Sequence, residues 1–284
     1  MQPLIIDEKI EESIRISLKE DLGSLGDITS DWLLPAAATA QARIIAKAPG
    51  VIAGITIAER VFQLVDNGLR FENMVADSTK VKAADLILKV AGSAGSILTA
   101  ERTALNFLQR MSGIATLTNQ FVEKVSGTGA KILDTRKTTP GLRTLEKYAV
   151  RAGGGHNHRM GLSDMILIKE NHIAAAGGLS KAVGRIRGQM QKRNLKLAVE
   201  VEARTIEEVR EAVALRVDRI MLDNMLPTQI REAVKIVGRT VELEASGGVT
   251  LEIVREIAET GVDYISVGAL THSAKALDLS LLLK

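Results

Sequence analysis

From residue 131 onward the chain repeats one unit, a short apolar run followed by a stretch with helical periodicity. The runs are KILDTRK at 131, DMILIKE at 164, KLAVEVE at 196, RIMLDN at 219, VELEASGG at 241 and DYISVGA at 263. Between most of them lie amphipathic patterns such as TIEEVREAVAL and TLEIVREIAETG, the second followed through Gly261, a residue suited to stop a helix. Strands alternating with helices at this spacing predict parallel βαβ units. Most runs end in charged or small polar residues: Arg136 and Lys137, Lys169, Glu200 and Glu202, Asp223, Glu244 and Ser246, and Gly268. A barrel brings all its carboxyl strand ends to one mouth, whereas an open sheet gathers fewer of them. The barrel is therefore the preferred reading, with an open doubly wound sheet second.

Ahead of residue 113 the character differs. A helical pattern covers Asp7 to Asp21, a turn-rich EDLGSLGDITS follows, and short β-like runs such as ARIIAK and DLILKV are broken by glycines. A longer helical pattern, SILTAERTALNFLQRMSG, places Leu98, Ala104, Leu105, Leu108 and Met111 on one face. This part reads as α+β, and 284 residues with 46% hydrophobic content suit two domains. No apolar run approaches the roughly 18 residues that span a bilayer, and MQPLIIDEKIEE lacks a basic region followed by an apolar stretch. The expectation is a cytoplasmic protein with no membrane partner. The lack of cysteine excludes a disulfide framework, thiolate nucleophiles and thiolate-bound zinc. With 37 basic against 34 acidic residues and only 2% aromatics, nucleic acid ranks well behind small anionic ligands.

Positive charge is concentrated locally. The window RAGGGHNHRMGLSDMILIKENH at 151–172 holds three of the four histidines together with Arg151, Arg159 and Lys169. Alternation along KLAVEVE puts Ala198, Glu200 and Glu202 on one face, and VELEASGG repeats this with Glu242, Glu244 and Ser246. Interior carboxylates are costly unless paired or bound to a cation, and Arg136, Lys137 and Lys169 are available on facing strands. Glu202 and Glu244 are read as ordinary ion-pair partners. Glu200 and Asp223, placed beside the mouth, are the candidates to hold a hard ion such as Mg²⁺ through substrate oxygens. SGGV at 246–249 and SVGAL at 266–270 each lead into a helical pattern. Barrels bind phosphates after their final strands, so the two turns are read together as a phosphate site. His156 and His158, two residues apart on a glycine-rich loop, leave a transition-metal reading open.

The stretches ERTALNFLQRMSGIAT, DTRKTTPGLR, EKYAVRAGGGHNHRMGLSDMILIKENHI, VEVE, IMLDNM, EASGGV and ISVGAL resemble those of the quinolinate phosphoribosyltransferase family, and the resemblance runs from DLGSLGDIT nearly to the end. It implies an α/β protein of the type II phosphoribosyltransferase kind: an amino-terminal α/β sandwich domain over 1–112, an incomplete parallel α/β barrel over 113–270, and a carboxyl-terminal helix over 271–284 returning to the first domain. It also implies a homodimer or higher homo-oligomer whose active sites are shared between subunits. The implied reaction joins quinolinate to the ribose of phosphoribosyl pyrophosphate with decarboxylation, as a step of NAD biosynthesis.

Residue by residue, the resemblance makes Lys137, Lys169, Glu200 and Asp223 catalytic. It assigns quinolinate to Arg136, His158, Arg159 and Lys169, with Arg102 reaching in from the neighbouring subunit. Two adjacent carboxylates suit guanidinium forks joined by point charges. Thr135, Lys137, Ser246, Gly247, Gly248, Val267, Gly268 and Ala269 then face the phosphoribosyl substrate, and Mg²⁺ is held near Glu200 and Asp223 through substrate or water. Against a transition metal, the surrounding arginines and lysine would repel a cation, so His156 and His172 are read as structural. Two other classes are weighed: a transferase acting on nicotinate, which needs fewer cations, and a non-catalytic nucleotide-binding member.

Overall fold

The computed structural model describes residues 3–284. In chain order its elements are α1 (Glu8–Leu22), α2 (Ile28–Leu33), β1 (Thr39–Ala46), β2 (Gly50–Val51), α3 (Ile55–Val65), β3 (Arg70–Asn73), β4 (Lys80–Val81), β5 (Leu86–Ser93) and α4 (Ala94–Lys124). Then come β6 (Lys131–Leu133), α5 (Arg143–Ala152), β7 (Ile166–Ile168), α6 (Glu170–Ala176), α7 (Leu179–Lys192), β8 (Val199–Ala203), α8 (Ile206–Ala214) and β9 (Arg219–Asp223). The chain finishes with α9 (Pro227–Val237), β10 (Glu242–Ser246), α10 (Val254–Ala258), β11 (Tyr264–Ser266), α11 (Ala269–His272) and β12 (Leu279–Leu283). Two compact units result, one from residues up to 119 with 138–154 and 269–284, the other from 120–137 with 155–268.

In the first unit α1 begins where expected because Asp7 caps it, its carboxylate accepting from the Ile10 amide at 2.9 Å. Ile10, Ile14 and Leu18, four apart, form its buried stripe. The four-stranded sheet runs β12-β1-β5-β3. β12 is the main departure from the sequence reading, which expected the last segment to be a helix. Residues 279–283 pair antiparallel with β1, from Ala46 opposite Leu279 to Ala42 opposite Leu283. A five-residue helix cannot repay its nucleation, whereas the same residues as a strand satisfy the open edge of β1.

The expected change of character near residue 113 is bridged by α4, which continues unbroken to Lys124. Buried Ile114, Ala115 and Phe121 extend the apolar face past that point. Gly113 is required there by close approach rather than by flexibility. A Cβ on it would lie 2.0 Å from the Lys275 carbonyl oxygen. Gly113→Ala should lower stability by about 2–3 kcal/mol through overpacking, despite alanine's helix preference, read as a fall in the denaturant midpoint. The expected 113–270 domain is also not one body. Residues 138–154, including α5, belong to the first unit, where Tyr148 donates to Asp77 at 2.7 Å and Arg110 meets buried Glu146 at 2.8 Å.

The second unit contains all six expected strands, parallel, in the order β6-β11-β10-β9-β8-β7. From β7 to β11 each strand lies beside its predecessor, so no reversal of order marks a doubly wound sheet. The sheet winds as a barrel does and does not close, since β6 and β7 end the row. Beside β6 the chain adds a single bridge: the His156 amide donates to Ile132 at 2.8 Å and the Asp134 amide to His156 at 3.1 Å. Apolar stripes on α8 (Val209, Ala212) and α9 (Ile230, Ala233, Val237) are buried. Among the described residues, no helix is long and apolar enough to cross a membrane.

Candidate active site

The second unit gathers its chemistry at the carboxyl edge of the parallel sheet. Asp134, directly after β6, is fully buried and accepts from the His158 amide at 2.8 Å and from the Asn157 side chain. It ties the 155–160 loop to the sheet. Thr135 accepts from the Lys137 amide at 3.0 Å, a tight turn that presents Arg136 and Lys137 at the surface. Arg159 donates to the Met165 carbonyl at 3.1 Å. Burial lowers its pKa, and the neighbouring Arg136 charge lowers it further. Two guanidinium groups that repel one another are set for an anion with two carboxylates. Lys169, after β7, reaches Glu202 at 3.1 Å, while its amide donates to the His172 ring at 3.0 Å. His172 therefore serves backbone structure, as read from the sequence, and His156 engages β6 through its backbone.

The acid pair differs from expectation. Glu200 lies opposite Arg219 in the β8–β9 register, and Asp223 is four residues farther along β9. That separation is roughly 13 Å along the strand direction, too far for one ion. Glu200 is also completely buried, its carboxylate 3.1 Å from the His158 ring. Glu202, opposite Met221, occupies the site-facing edge instead, with Lys169 beside it. Arg204 links this group together: it lies 3.3 Å from Asp223 and 3.9 Å from Glu202, and it also pairs with Glu170. The structure thus places Glu202, not Glu200, at the edge that Asp223 shares. Glu202 does form the ion pair expected of it, but at the site rather than away from it. The strand starts at Val199, so the later glutamate of the alternating pair is the one nearer the carboxyl edge.

His158 has neighbours that the sequence reading did not expect. Its Nε2 lies 3.1 Å from Glu200 and 3.4 Å from Glu244, and its side chain is nearly buried. With two carboxylates facing Nε2, that nitrogen is the one that carries the ring proton. On the other side of the ring, Nδ1 accepts from the Arg159 amide at 2.7 Å.

At the neighbouring strand ends, the Asn224 amide donates to the Ser246 carbonyl at 2.8 Å. Gly247 has φ +97°, and a Cβ there would lie 2.2 Å from Asn224 Oδ1. Gly248 also has positive φ and faces open space. Gly247→Ala should cost about 1–3 kcal/mol of backbone strain and push Asn224 aside. The check is a lower denaturant midpoint. Val267 does not offer the contact expected of it, because it is buried and its amide is already bonded to Leu133 at 2.9 Å. Gly268 follows β11, Ala269 opens α11 in the first unit, and Arg102 is exposed on α4, also in the first unit. Asn224 and Arg204 are residues to which the sequence reading gave no role, and Glu202 is one that it read only as an ion-pair partner.

Family models place this arrangement. The quinolinate phosphoribosyl transferase N-terminal domain matches residues 27–112 and the C-terminal domain of the same family matches 114–282. Quinolinate phosphoribosyltransferase (decarboxylating) 2b, mitochondrial, of Nicotiana tabacum is 48% identical over 287 residues, covering 96% of this chain and 81% of its own length. Among solved structures, NadC from Streptococcus pyogenes superposes with a TM-score of 0.95 at 40% identity, covering 100% of this chain and 99% of its own. The nicotinate-nucleotide pyrophosphorylase from Francisella tularensis gives 0.94 at 42% identity, with 99% and 98% covered. With both domain models in register along the chain and relatives nearly half identical across it, this chain belongs to the quinolinate phosphoribosyltransferase family.

Proposed function

We propose that this protein transfers the phosphoribosyl group of phosphoribosyl pyrophosphate to quinolinate and removes the 2-carboxylate, giving nicotinate mononucleotide, pyrophosphate and carbon dioxide for NAD synthesis. The observation that carries this reading, beside family membership, is that Arg136 and Arg159, whose charges repel, and the Lys169–Glu202 pair all belong to segments that follow strands of the same parallel sheet. A dicarboxylate relieves that repulsion, and a monocarboxylate relieves less of it. The pyridine nitrogen attacks the anomeric carbon as pyrophosphate departs, and Glu202 and Asp223 offset the positive charge that develops on the ribose. The quaternised ring then stabilises the carbanion left by decarboxylation, which takes up a proton. Ser246, Gly247 and Gly248, with Lys137, are the proposed phosphate contacts.

Mg²⁺ is part of the proposal. Glu202 and Asp223 are hard oxygen donors at one strand edge, suited to an ion that keeps several waters, and the ion would neutralise the departing pyrophosphate. Chelation should abolish activity and added Mg²⁺ restore it, with no stoichiometric zinc by elemental analysis; zinc-dependent activity would overturn this. A homodimer in which Arg102 serves the neighbouring subunit is proposed from family resemblance. A cytoplasmic location is proposed as well, with cell fractionation as its check.

The deciding assay measures pyrophosphate and carbon dioxide release with quinolinate and with nicotinate. Equal release of both products with quinolinate, and little pyrophosphate with nicotinate, is the expected result. Comparable pyrophosphate release with nicotinate and no carbon dioxide from quinolinate would overturn the reading.

A further inference from the structure

The 155–160 loop carries Arg159, and beneath it lies a group of charged side chains that the proposed chemistry does not use. Glu200 and Glu244 are fully buried on β8 and β10. Both approach the His158 Nε2, at 3.1 and 3.4 Å. Arg219 contacts Glu244 at 3.3 Å, pairs with Glu242 at 2.9 Å, and lies 4.0 Å from the centre of the Tyr264 ring. Interior charges of this kind are costly to keep, and the sheet holds them in a fixed row: Glu200 opposite Arg219, and Glu244 opposite Met221 on β9 and Tyr264 on β11. The far side of the imidazole supplies the connection, because Nδ1 accepts from the Arg159 amide at 2.7 Å. The ring is thus a strut between two buried acids and the backbone of the residue that presents a guanidinium at the mouth.

We propose that Glu200, Glu244 and Arg219 are positioning residues, holding the His158 ring so that its Nδ1 fixes the Arg159 backbone and aims Arg159 at the dicarboxylate substrate. This deepens the functional reading and rests on it for the identity of the substrate. Of the two acids, Glu244 also meets Arg219 at 3.3 Å and so ties the ring to that cation, a charge pairing that a neutral amide would lose. The same three ligand atoms, His158 Nε2 and one oxygen from each glutamate, lie within 4.8 Å of one another, a spacing that could also hold a metal ion. Two features favour the positioning role: the Arg219 cation at the edge of the cluster, and the Arg159 amide donating to Nδ1. A metal-bound histidine instead usually donates from its second nitrogen.

The test compares Glu244→Gln with the unaltered protein by amide hydrogen exchange and by calorimetric binding of quinolinate and of phosphoribosyl pyrophosphate. For Glu244→Gln, faster exchange should be confined to residues 156–160, led by the Arg159 amide. Quinolinate should bind about ten- to a hundredfold more weakly, with phosphoribosyl pyrophosphate affinity unchanged. The unchanged phosphoribosyl pyrophosphate affinity guards against a general folding defect. Unchanged loop exchange in Glu244→Gln would overturn the proposal, as would faster exchange with quinolinate affinity intact, since the group would then be only structural. Equal loss of affinity for both ligands, or stoichiometric metal in the purified protein, would also overturn it. If the unaltered protein bound no quinolinate, the functional reading would fall, and the exchange result would still decide whether the acids hold the loop.

Discussion

Mixing Arg102→Ala chains with Glu202→Ala chains, each nearly inactive alone, should restore about a quarter of unaltered activity. If Arg102 serves the neighbouring subunit, a mixed dimer holds one site with both defects and one with neither. Random exchange makes about half of the dimers mixed, and one of the two sites in each is intact, by the two-fold logic of closed dimers. Arg102 lies on α4 in the first unit, and Glu202 belongs to β8 in the second. The assay should use quinolinate well below its KM, where the missing guanidinium is felt most, and subunit exchange should be verified by mass. Verified mixed dimers with no activity would place both residues in one chain's site.

Glu202→Gln alone should lower kcat roughly a hundred- to a thousandfold, the usual scale for losing one preorganised charge at a developing cation. The variant keeps its shape, because the amide fills the same volume and can still accept from Lys169 Nζ, now at 3.1 Å from the carboxylate. Melting temperature should move by only a few degrees, since a single half-exposed ion pair contributes about 1 kcal/mol or less. A kcat within threefold of the unaltered enzyme would return the acidic role to another residue, with Asp223 the first to test.

How much of this could be read from the sequence depended on whether a property was local or set by register. All six parallel strands were legible, because each is a short apolar run bounded by turns. The first helix was legible from its pattern over Asp7 to Asp21, though not the capping role of Asp7. The choice between Glu200 and Glu202 was not, since alternation says that both share a face but not how far along the sheet each one sits. That depends on Glu200 pairing with Arg219 and Glu202 with Met221. The burial of the His158 ring was not legible either, because the approach of Glu200 and Glu244 joins residues more than forty positions away. The final strand was hidden as well: LSLLL carries no strand signature until the edge of β1 is seen to need a partner. Val267 looked available because a glycine follows it, yet its amide is already spoken for by Leu133.

The first unit is assembled from three separate passages of chain, and β12 supplies an edge of its sheet. In genetic terms, the two units are therefore interleaved rather than consecutive. A single crossover near residue 113 would not exchange one unit for another, because the incoming half would bring its own α5 and β12 to pair with a foreign sheet. In ribosomal terms, β1 must wait with an open edge until residues 279–283 have been made. Long-range pairing of this kind folds slowly and leaves strand edges exposed in the interval. A fragment of residues 3–119 should therefore be aggregation-prone, and a synthetic LSLLL-containing peptide supplied during its refolding should protect it.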